Sequence, residues 1–400
     1  MTERCVLAFS GGLDTSVCVA WLRERGFDVI ALTVDVGQGA ELDGLQVRAE
    51  AAGVADLVVI DAREEFVTEF CWPALRANAL YEGRYPLVSA LSRPLIARHL
   101  VRVARERSAT TIAHGCTGKG NDQVRFETSI GSLAPDLKIL APIRQEGMQR
   151  DQALEYAAAH GIPVVATAEK PYSVDENLWG RAIESGVLED PWTEPPPKDV
   201  FELTVDPQAA PDEPSDIVVG FERGIPVSLD GDRTDPVALV LRMQEIAGAH
   251  GAGRIDMIEN RLVGIKSREV YEVPASISLI TAHRDLEDLV LERDLAHFKQ
   301  GVELRYAELV YNGMWFSPLK ASLDAFVEST QEDVTGEVRL RLHKGTARPV
   351  GRRSPRGLYS PELATYTSGA DSFQHDAAAG FISLWSLPVR VWAQRRRDRT

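Results

Sequence analysis

Ser10-Gly11-Gly12-Leu13-Asp14-Thr15-Ser16 sets two adjacent glycines among three hydroxyls and one carboxylate. That set can hold a phosphate. The glycines let main-chain N–H groups approach an anion with no side chain in the way. Ser10, Thr15 and Ser16 can donate to its oxygens. The alternative is a plain turn with Asp14 or Thr15 capping a helix. The loop holds no lysine, so it is not the G-x-x-x-x-G-K-[ST] loop, and it lacks the third glycine and downstream acid of the dinucleotide fingerprint.

A second set runs from His114 to Glu127, as His-Gly-Cys-Thr-Gly-Lys-Gly-Asn-Asp-Gln-Val-Arg-Phe-Glu. Three glycines in six residues open the backbone, and Thr117, Asn121, Asp122 and Arg125 follow closely. Such groups suit a zwitterion. An amino group needs carboxylate acceptors, and an α-carboxylate needs guanidinium, hydroxyl and amide donors. The alternative is a polar surface loop with Asp122 as a helix cap. The cysteines Cys5, Cys18, Cys71 and Cys116 have no C-x-x-C spacing and read as reduced thiols. Cys116 is the candidate for reactivity, although His114 is its only near partner.

Both loops need a rigid edge. The apolar run Cys5 to Phe9 reads as a strand before the first loop, and Thr15 to Arg25 as a helix after it. Asp28 to Val34, Leu57 to Ile60, Thr111 to His114, Lys138 to Ala141 and Pro163 to Val165 read as further strands. Glu65 to Leu75, Arg93 to Arg107 and Arg150 to His160 have helical spacing. This alternation predicts an α/β domain with a parallel, doubly wound sheet over residues 1–168. Ligands of such sheets bind past the carboxyl ends of the strands.

Composition changes near Glu169-Lys170-Pro171, and Pro195-Pro196-Pro197 reads as a stiff segment. Residues 169–365 read as α+β. Strands are expected at Phe201 to Val205, Ile217 to Phe221, Pro226 to Leu229, Arg254 to Glu259, Ser276 to Thr281 and Gly336 to His343. A hairpin turn is expected at Asp230-Gly231. Helices are expected at Val237 to His250, Leu286 to Tyr311 and Pro318 to Glu332. Residues 366–400 form a C-terminal tail with an amphipathic helix, Gln374 to Arg399, which Pro388 kinks or caps. Its aromatic residues suit either a subunit contact or packing on their own domain.

A length of 400 residues allows two or three cores, and a net charge of −15 argues against nucleic acid as the main partner. Arg395, Arg396, Arg397 and Arg399 read as a solvated helix end. No apolar run reaches the length of a membrane span. Met1-Thr2-Glu3-Arg4 leads straight into the first strand, so a cytoplasmic protein without a signal peptide is expected.

The first loop resembles the pyrophosphate loop of the N-type ATP pyrophosphatases, which cut ATP between its α and β phosphates. A closer resemblance covers both halves in order. Ala8 to Ser16, Asp35-Val36-Gly37-Gln38-Gly39, Arg93-Pro94-Leu95-Ile96, His114 to Glu127, Lys170-Pro171-Tyr172-Ser173 and Val263-Gly264-Ile265-Lys266-Ser267-Arg268 are similar to the argininosuccinate synthase family. The resemblance implies a synthetase half after the nucleotide domain. It implies ligation of citrulline and aspartate with ATP and Mg²⁺, through a citrullyl-AMP intermediate, with release of AMP and pyrophosphate. No protein residue is assigned to the metal.

The resemblance also implies sites. ATP would meet Ala8, Phe9, Ser10, Gly11, Gly12, Leu13, Asp14, Thr15, Ser16, Val34 and Gly115. Aspartate would meet Thr117, Asn121 and Asp122. Citrulline would meet Tyr85, Asn121, Arg125, Ser173, Glu259 and Tyr271. Asp14, Asp122 and Arg125 are the candidate catalytic residues. A homotetramer acting on small molecules, with no nucleic acid and no membrane, is implied as well. The chain departs from the family at Phe9, where many relatives have tyrosine. It departs again at Ala90 and Ala182, near which relatives carry serines that help bind citrulline, and around Trp179-Gly180-Arg181. Rival readings need more than this sequence is expected to hold. A glutamine amidotransferase needs a glutaminase domain. A tRNA thiolase needs a basic surface and catalytic cysteines. A nucleotide sensor without turnover has no use for the second loop.

Overall fold

β1 (Glu3–Ala8) carries Cys5, Val6 and Leu7 with no exposed surface. A strand this apolar must be covered on both faces, the condition of a parallel sheet. β2 (Phe27–Asp35), β3 (Asp56–Asp61), β4 (Thr111–Ala113) and β5 (Lys138–Leu140) complete it, all parallel, in the order β3-β2-β1-β4-β5. The chain runs outward from β1 to β3 and then returns to the other side of β1. Strand order therefore reverses between β1 and β4, and the loops leaving those strands open side by side. The structure, a computed structural model, describes residues 3–162, 172–196, 200–367 and 369–398. The strand expected at Pro163 to Val165 lies outside them, as do Glu169, Lys170, Pro171, Pro197 and Arg399.

Side chains alternate across the sheet. Cys5, Leu7, Val29 and Ala31 share a core with Val17, Cys18 and Leu22 of helix Leu13–Glu24 and with Ala153 and Ala157 of helix Arg150–Ala159. Val6, Ile30 and Leu32 share another with Leu91, Leu95 and Leu100 of helix Val88–Glu106. Helices on both faces make the sheet doubly wound.

The chain continues through β6 (Ser173–Asn177), β7 (Gly180–Glu184), β8 (Ser215–Glu222), β9 (Ile225–Leu229), β10 (Asp232–Arg233), β11 (Arg254–Asn260), β12 (Lys266–Glu272), β13 (Gly336–His343) and β14 (Thr346–Arg353). These form two antiparallel sheets, ordered β11-β12-β7-β6 and β10-β9-β8-β13-β14. Asp230 and Gly231 take φ values of 53° and 86° between β9 and β10, the left-handed pair an Asp-Gly hairpin turn needs. Helices Pro236–Ala249 and Pro274–Val290 pack together, and the latter lies against β13 and β14. Everything to Arg356 belongs to one compact unit, and Gly357–Thr400 forms a second.

Several expected elements differ. Ser276 to Thr281 is no strand but lies inside helix Pro274–Val290. A short apolar window does not reveal its period, and Pro274 in the first turn opens the helix there. The expected helix from Leu286 to Tyr311 is broken. Leu291 is extended at ψ 140°, and the Glu292 carboxylate caps a new helix, Arg293–Tyr311, accepting from the N–H groups of Asp294 at 2.9 Å and Leu295 at 3.1 Å. Phe201 to Val205 is not a strand either. The N–H groups of Glu202, Leu203 and Thr204 close around the buried Glu272 carboxylate at 2.8 to 2.9 Å, so they are not free for a ladder. Within the second unit the expected tail helix divides into His375–Trp385 and Leu387–Arg397, with Pro388 in the first turn of the latter. Phe381 and Trp385 stack there at 5.5 Å. No helix among the described residues is long and apolar enough to cross a membrane.

Candidate active site

Ala8 ends β1, and Phe9 still donates its N–H to Leu32 O at 2.9 Å before the chain turns. Gly11 turns it, at φ +74°. A Cβ there would stand 2.5 Å from Arg48 Nε, so the position needs glycine. Gly12 is the extended N-cap of helix Leu13–Glu24, and no side chain caps it. The cap role considered for Asp14 or Thr15 is therefore not taken up. Instead Thr15 Oγ1 donates to Gly12 O at 3.2 Å and lies 3.3 Å from Ser10 Oγ, which accepts from Gly12 N at 3.3 Å. Hydroxyls and helix N-terminus thus converge on one point, with Leu13 and the buried Ser16 behind them. Burial pushes the Asp14 carboxyl above its ordinary value, and Arg150 opposes the shift. Val34 is buried near the end of β2.

The second loop abuts the first. A Cβ on Gly115 would lie 3.2 Å from Thr15 Cγ2 and 3.4 Å from both Thr15 N and the Asp14 carbonyl carbon. His114 anchors its start. Its Nδ1 accepts from Cys116 N at 3.3 Å, which leaves Nε2 to donate to Glu127 Oε1 at 3.2 Å. Gln123 Nε2 donates to Gly118 O at 2.6 Å and Gly120 O at 3.2 Å, while Arg144 holds Gln123 and Glu127. Thr117 is exposed on this loop. Burial first, and Asp122 second, push the Cys116 thiol far up, so it is no thiolate nucleophile.

Asp122 does not cap its helix, since Asn121 holds that position. Its Oδ2 accepts from Arg93 Nε at 2.9 Å, and its Oδ1 from Arg125 Nη1 at 2.8 Å. Arg93 Nη2 also reaches Asp175 Oδ2 at 2.7 Å on β6. Burial raises the Asp122 carboxyl, but the two guanidiniums outweigh it and hold the group below its ordinary value.

Beyond Arg125 lies a cluster of tyrosines. Tyr85 stacks on Tyr271 at 4.2 Å and meets Tyr311 edge-on at 6.4 Å, and Tyr81 stacks on Tyr311 at 3.5 Å. Glu259 accepts from the Tyr271 hydroxyl at 2.9 Å and the Tyr311 hydroxyl at 2.8 Å. Burial raises its carboxyl, while the two tyrosine hydroxyls, then Arg125 and Arg261, counter the rise. Asn121 Nδ2 donates to the Tyr311 hydroxyl at 2.8 Å, and Asn121 Oδ1 accepts from Leu262 N at 3.0 Å. Tyr85, Asn121, Arg125, Glu259 and Tyr271 are thus brought together. Ser173 stays apart, exposed at the start of β6 and opposite Glu184, on the sheet face that also carries Asp175. Ala182 sits in register between Asp175 and Tyr271, and Ala90 is fully buried.

Sequence reasoning missed Tyr311, Tyr81 and Asp175, and quoted Arg93 without a role. Tyr311 ends the helix expected from Leu286 and precedes Asn312-Gly313. Gly313 was the usable signal. It has φ +75°, and a Cβ on it would stand 2.8 Å from Arg125 Cα, so the helix end is pressed against the Arg125 backbone.

A parallel sheet with a lysine-free Ser-Gly-Gly loop at its switch point is, by the family model that matches it, a HUP domain. Residues 4–163 match a family model described as "Arginosuccinate synthase N-terminal HUP domain", and residues 172–392 match "Arginosuccinate synthase C-terminal domain". The chain is 58% identical over 396 residues to the argininosuccinate synthase of Rubrobacter xylanophilus, covering 99% of this chain and 96% of that protein. It is 55% identical over 389 residues to that of Bacillus pumilus, at 97% and 96% coverage. It is also 55% identical over 397 residues to that of a Synechococcus strain, at 99% and 99%. The chain belongs to the argininosuccinate synthase family of enzymes.

Proposed function

We propose that the protein joins L-citrulline to L-aspartate, forming argininosuccinate and releasing AMP and pyrophosphate. The observation that carries this reading is the contact of the two loops, with Gly115 against Thr15 and Asp14. It supports a single site in which a phosphate cradle and a zwitterion site share one sheet edge.

The ureido carbon of citrulline is a poor electrophile. Its oxygen attacks the α-phosphorus of ATP, the α–β bridging P–O bond breaks, and pyrophosphate leaves from the cradle of Ser10 to Thr15. The resulting citrullyl-AMP carries a good leaving group. The α-amine of aspartate then attacks the ureido carbon, the C–O bond to AMP breaks, and the amine's proton passes to the departing phosphate or to water. No side-chain nucleophile is required, and positioning with charge stabilisation supplies most of the rate. The lysine missing from the first loop has a reason here, because pyrophosphate leaves as one unit and no γ-phosphate is transferred.

Ala8 to Ser16, Val34 and Gly115 hold the nucleotide. Thr117, Asn121 and Asp122 take aspartate, and Tyr85, Asn121, Arg125, Ser173, Glu259 and Tyr271 take citrulline. Mg²⁺ neutralises phosphate charge when bound with ATP. Asp14, a half-buried carboxylate beside the cradle, is the side chain there that would hold it. Magnesium would otherwise keep phosphate oxygens and water as ligands. The working form in this reading is a cytoplasmic homotetramer.

The test is to supply ATP, citrulline and aspartate and to identify products by mass spectrometry. Argininosuccinate, AMP and pyrophosphate are expected. ADP, or AMP formed without regard to citrulline, would refute the reading. Asp122→Ala should lower overall synthesis at least tenfold more than it lowers citrulline-dependent ATP–pyrophosphate exchange. Equal loss of both would remove Asp122 from the aspartate step.

A further inference from the structure

We propose that Tyr311 is a positioning residue that sets the citrulline end of the site by locking Asn121, Arg125 and Glu259 to one another. This rests on the assignment of those three residues to citrulline. Tyr311 has no exposed surface, so it acts through its neighbours rather than on a substrate.

Its hydroxyl has one proton to give and accepts one here. Glu259 as a carboxylate can only accept, so the hydroxyl donates to it at 2.8 Å and accepts from Asn121 Nδ2 at 2.8 Å. This direction fixes the Asn121 amide. Nδ2 faces Tyr311, and Oδ1 faces Leu262 N at 3.0 Å. Asn121 belongs to the loop after β4, whereas Glu259 belongs to β11, so a single hydroxyl ties the two halves of the site. The rest of the residue grips Arg125. The Tyr311 carbonyl, at a helix C-terminus that favours cations, accepts from Arg125 Nε at 3.0 Å. The guanidinium carbon lies 4.8 Å from the Tyr311 ring centroid. Gly313 lets the helix end approach Arg125 Cα, at a distance no side chain there would permit. Hydroxyl, ring and carbonyl of one residue therefore orient three groups that converge on one amino acid.

Tyr311→Phe keeps the ring, its stack on Tyr81 and the carbonyl, and removes only the hydroxyl. Hydrogen bonds to charged groups contribute about 1.5–3 kcal/mol, so the KM for citrulline should rise roughly 10- to 100-fold. The KM for ATP should stay within about twofold. A merely structural loss would lower the active fraction, and with it kcat, while leaving the citrulline KM alone. Gly313→Ala, whose Cβ would press on the Arg125 backbone, should also raise the citrulline KM. Arg125→Gln serves as the reference. If it raises the citrulline KM while Tyr311→Phe and Gly313→Ala do not, the role of Tyr311 is overturned and the site stands. If Arg125→Gln also leaves that KM unchanged, the citrulline assignment itself falls.

Discussion

Glu269 shows what burial does to one residue beside this site. Its carboxylate accepts from Arg261 Nη2 at 2.6 Å and Ser267 Oγ at 3.0 Å, yet it also faces the charges of Glu184 and Glu259. Burial, followed by those two carboxylates, pushes its pKa up to about 8. A carboxyl raised in the folded state above its unfolded value near ~4.3 stabilises the fold at low pH. That contribution is lost as pH rises through the folded value. Glu269→Gln, which cannot ionise, should therefore gain stability over the natural chain between about pH 5 and pH 9. Urea unfolding at both pH values checks this, and an unchanged difference would contradict it. Glu269 was not legible in the sequence, because its effect depends on three charges that meet only in the fold. Ser10 to Ser16 and His114 to Glu127 were legible because each packs its chemistry into a contiguous stretch. Tyr311 bonds to Asn121 across 190 positions, and no local pattern carries that.

At the scale of elements, the helix that delivers Tyr311 is anchored by charge. Lys299 is fully buried on helix Arg293–Tyr311, with its Nζ 2.8 Å from Glu303 and 3.1 Å from Glu287 of helix Pro274–Val290. Asn78 Nδ2 donates to the same two carboxylates, at 2.7 Å and 2.6 Å. Asn78 takes φ 44° three residues before Tyr81, so one cluster fixes both the helix and the segment that stacks on its last residue. Lys299→Met fills the volume but leaves two carboxylates buried without their cation. Breaking a buried pair this way costs about 3–5 kcal/mol. The loss should appear as a lower urea midpoint at an unchanged slope, and a shift under about 1 kcal/mol would show that Asn78, Gln331 and Arg284, other partners of these carboxylates, suffice. Elements read well from sequence where apolar runs alternate with stretches of helical spacing, as in the five strands of the parallel sheet. They read poorly where side chains took over backbone work, as at Phe201 to Val205, whose N–H groups serve Glu272.

For the whole molecule, the unit to Arg356 holds every residue of the proposed citrulline site, with Asn121 and Arg125 from its first half and Glu259, Tyr271 and Tyr311 from its second. None of the proposed site residues belongs to the second unit, Gly357–Thr400. That unit carries a different load. Phe381, Leu384, Trp385, Val389 and Trp392 are 60–74% exposed. So much apolar surface on two short helices is costly in water and suits either a subunit contact or packing on the rest of its own chain. The proposed homotetramer would make the first of these two the cover. The full chain should sediment as a tetramer at micromolar concentration. Replacing Trp385 and Trp392 together with serine should shift it to smaller species. The substrate KM values of each protomer should stay within about twofold, since no proposed site residue is replaced. A variant that remains tetrameric would assign assembly to the first unit. A variant that dissociates and also loses citrulline affinity would mean that the proposed site depends on neighbouring copies to hold its shape.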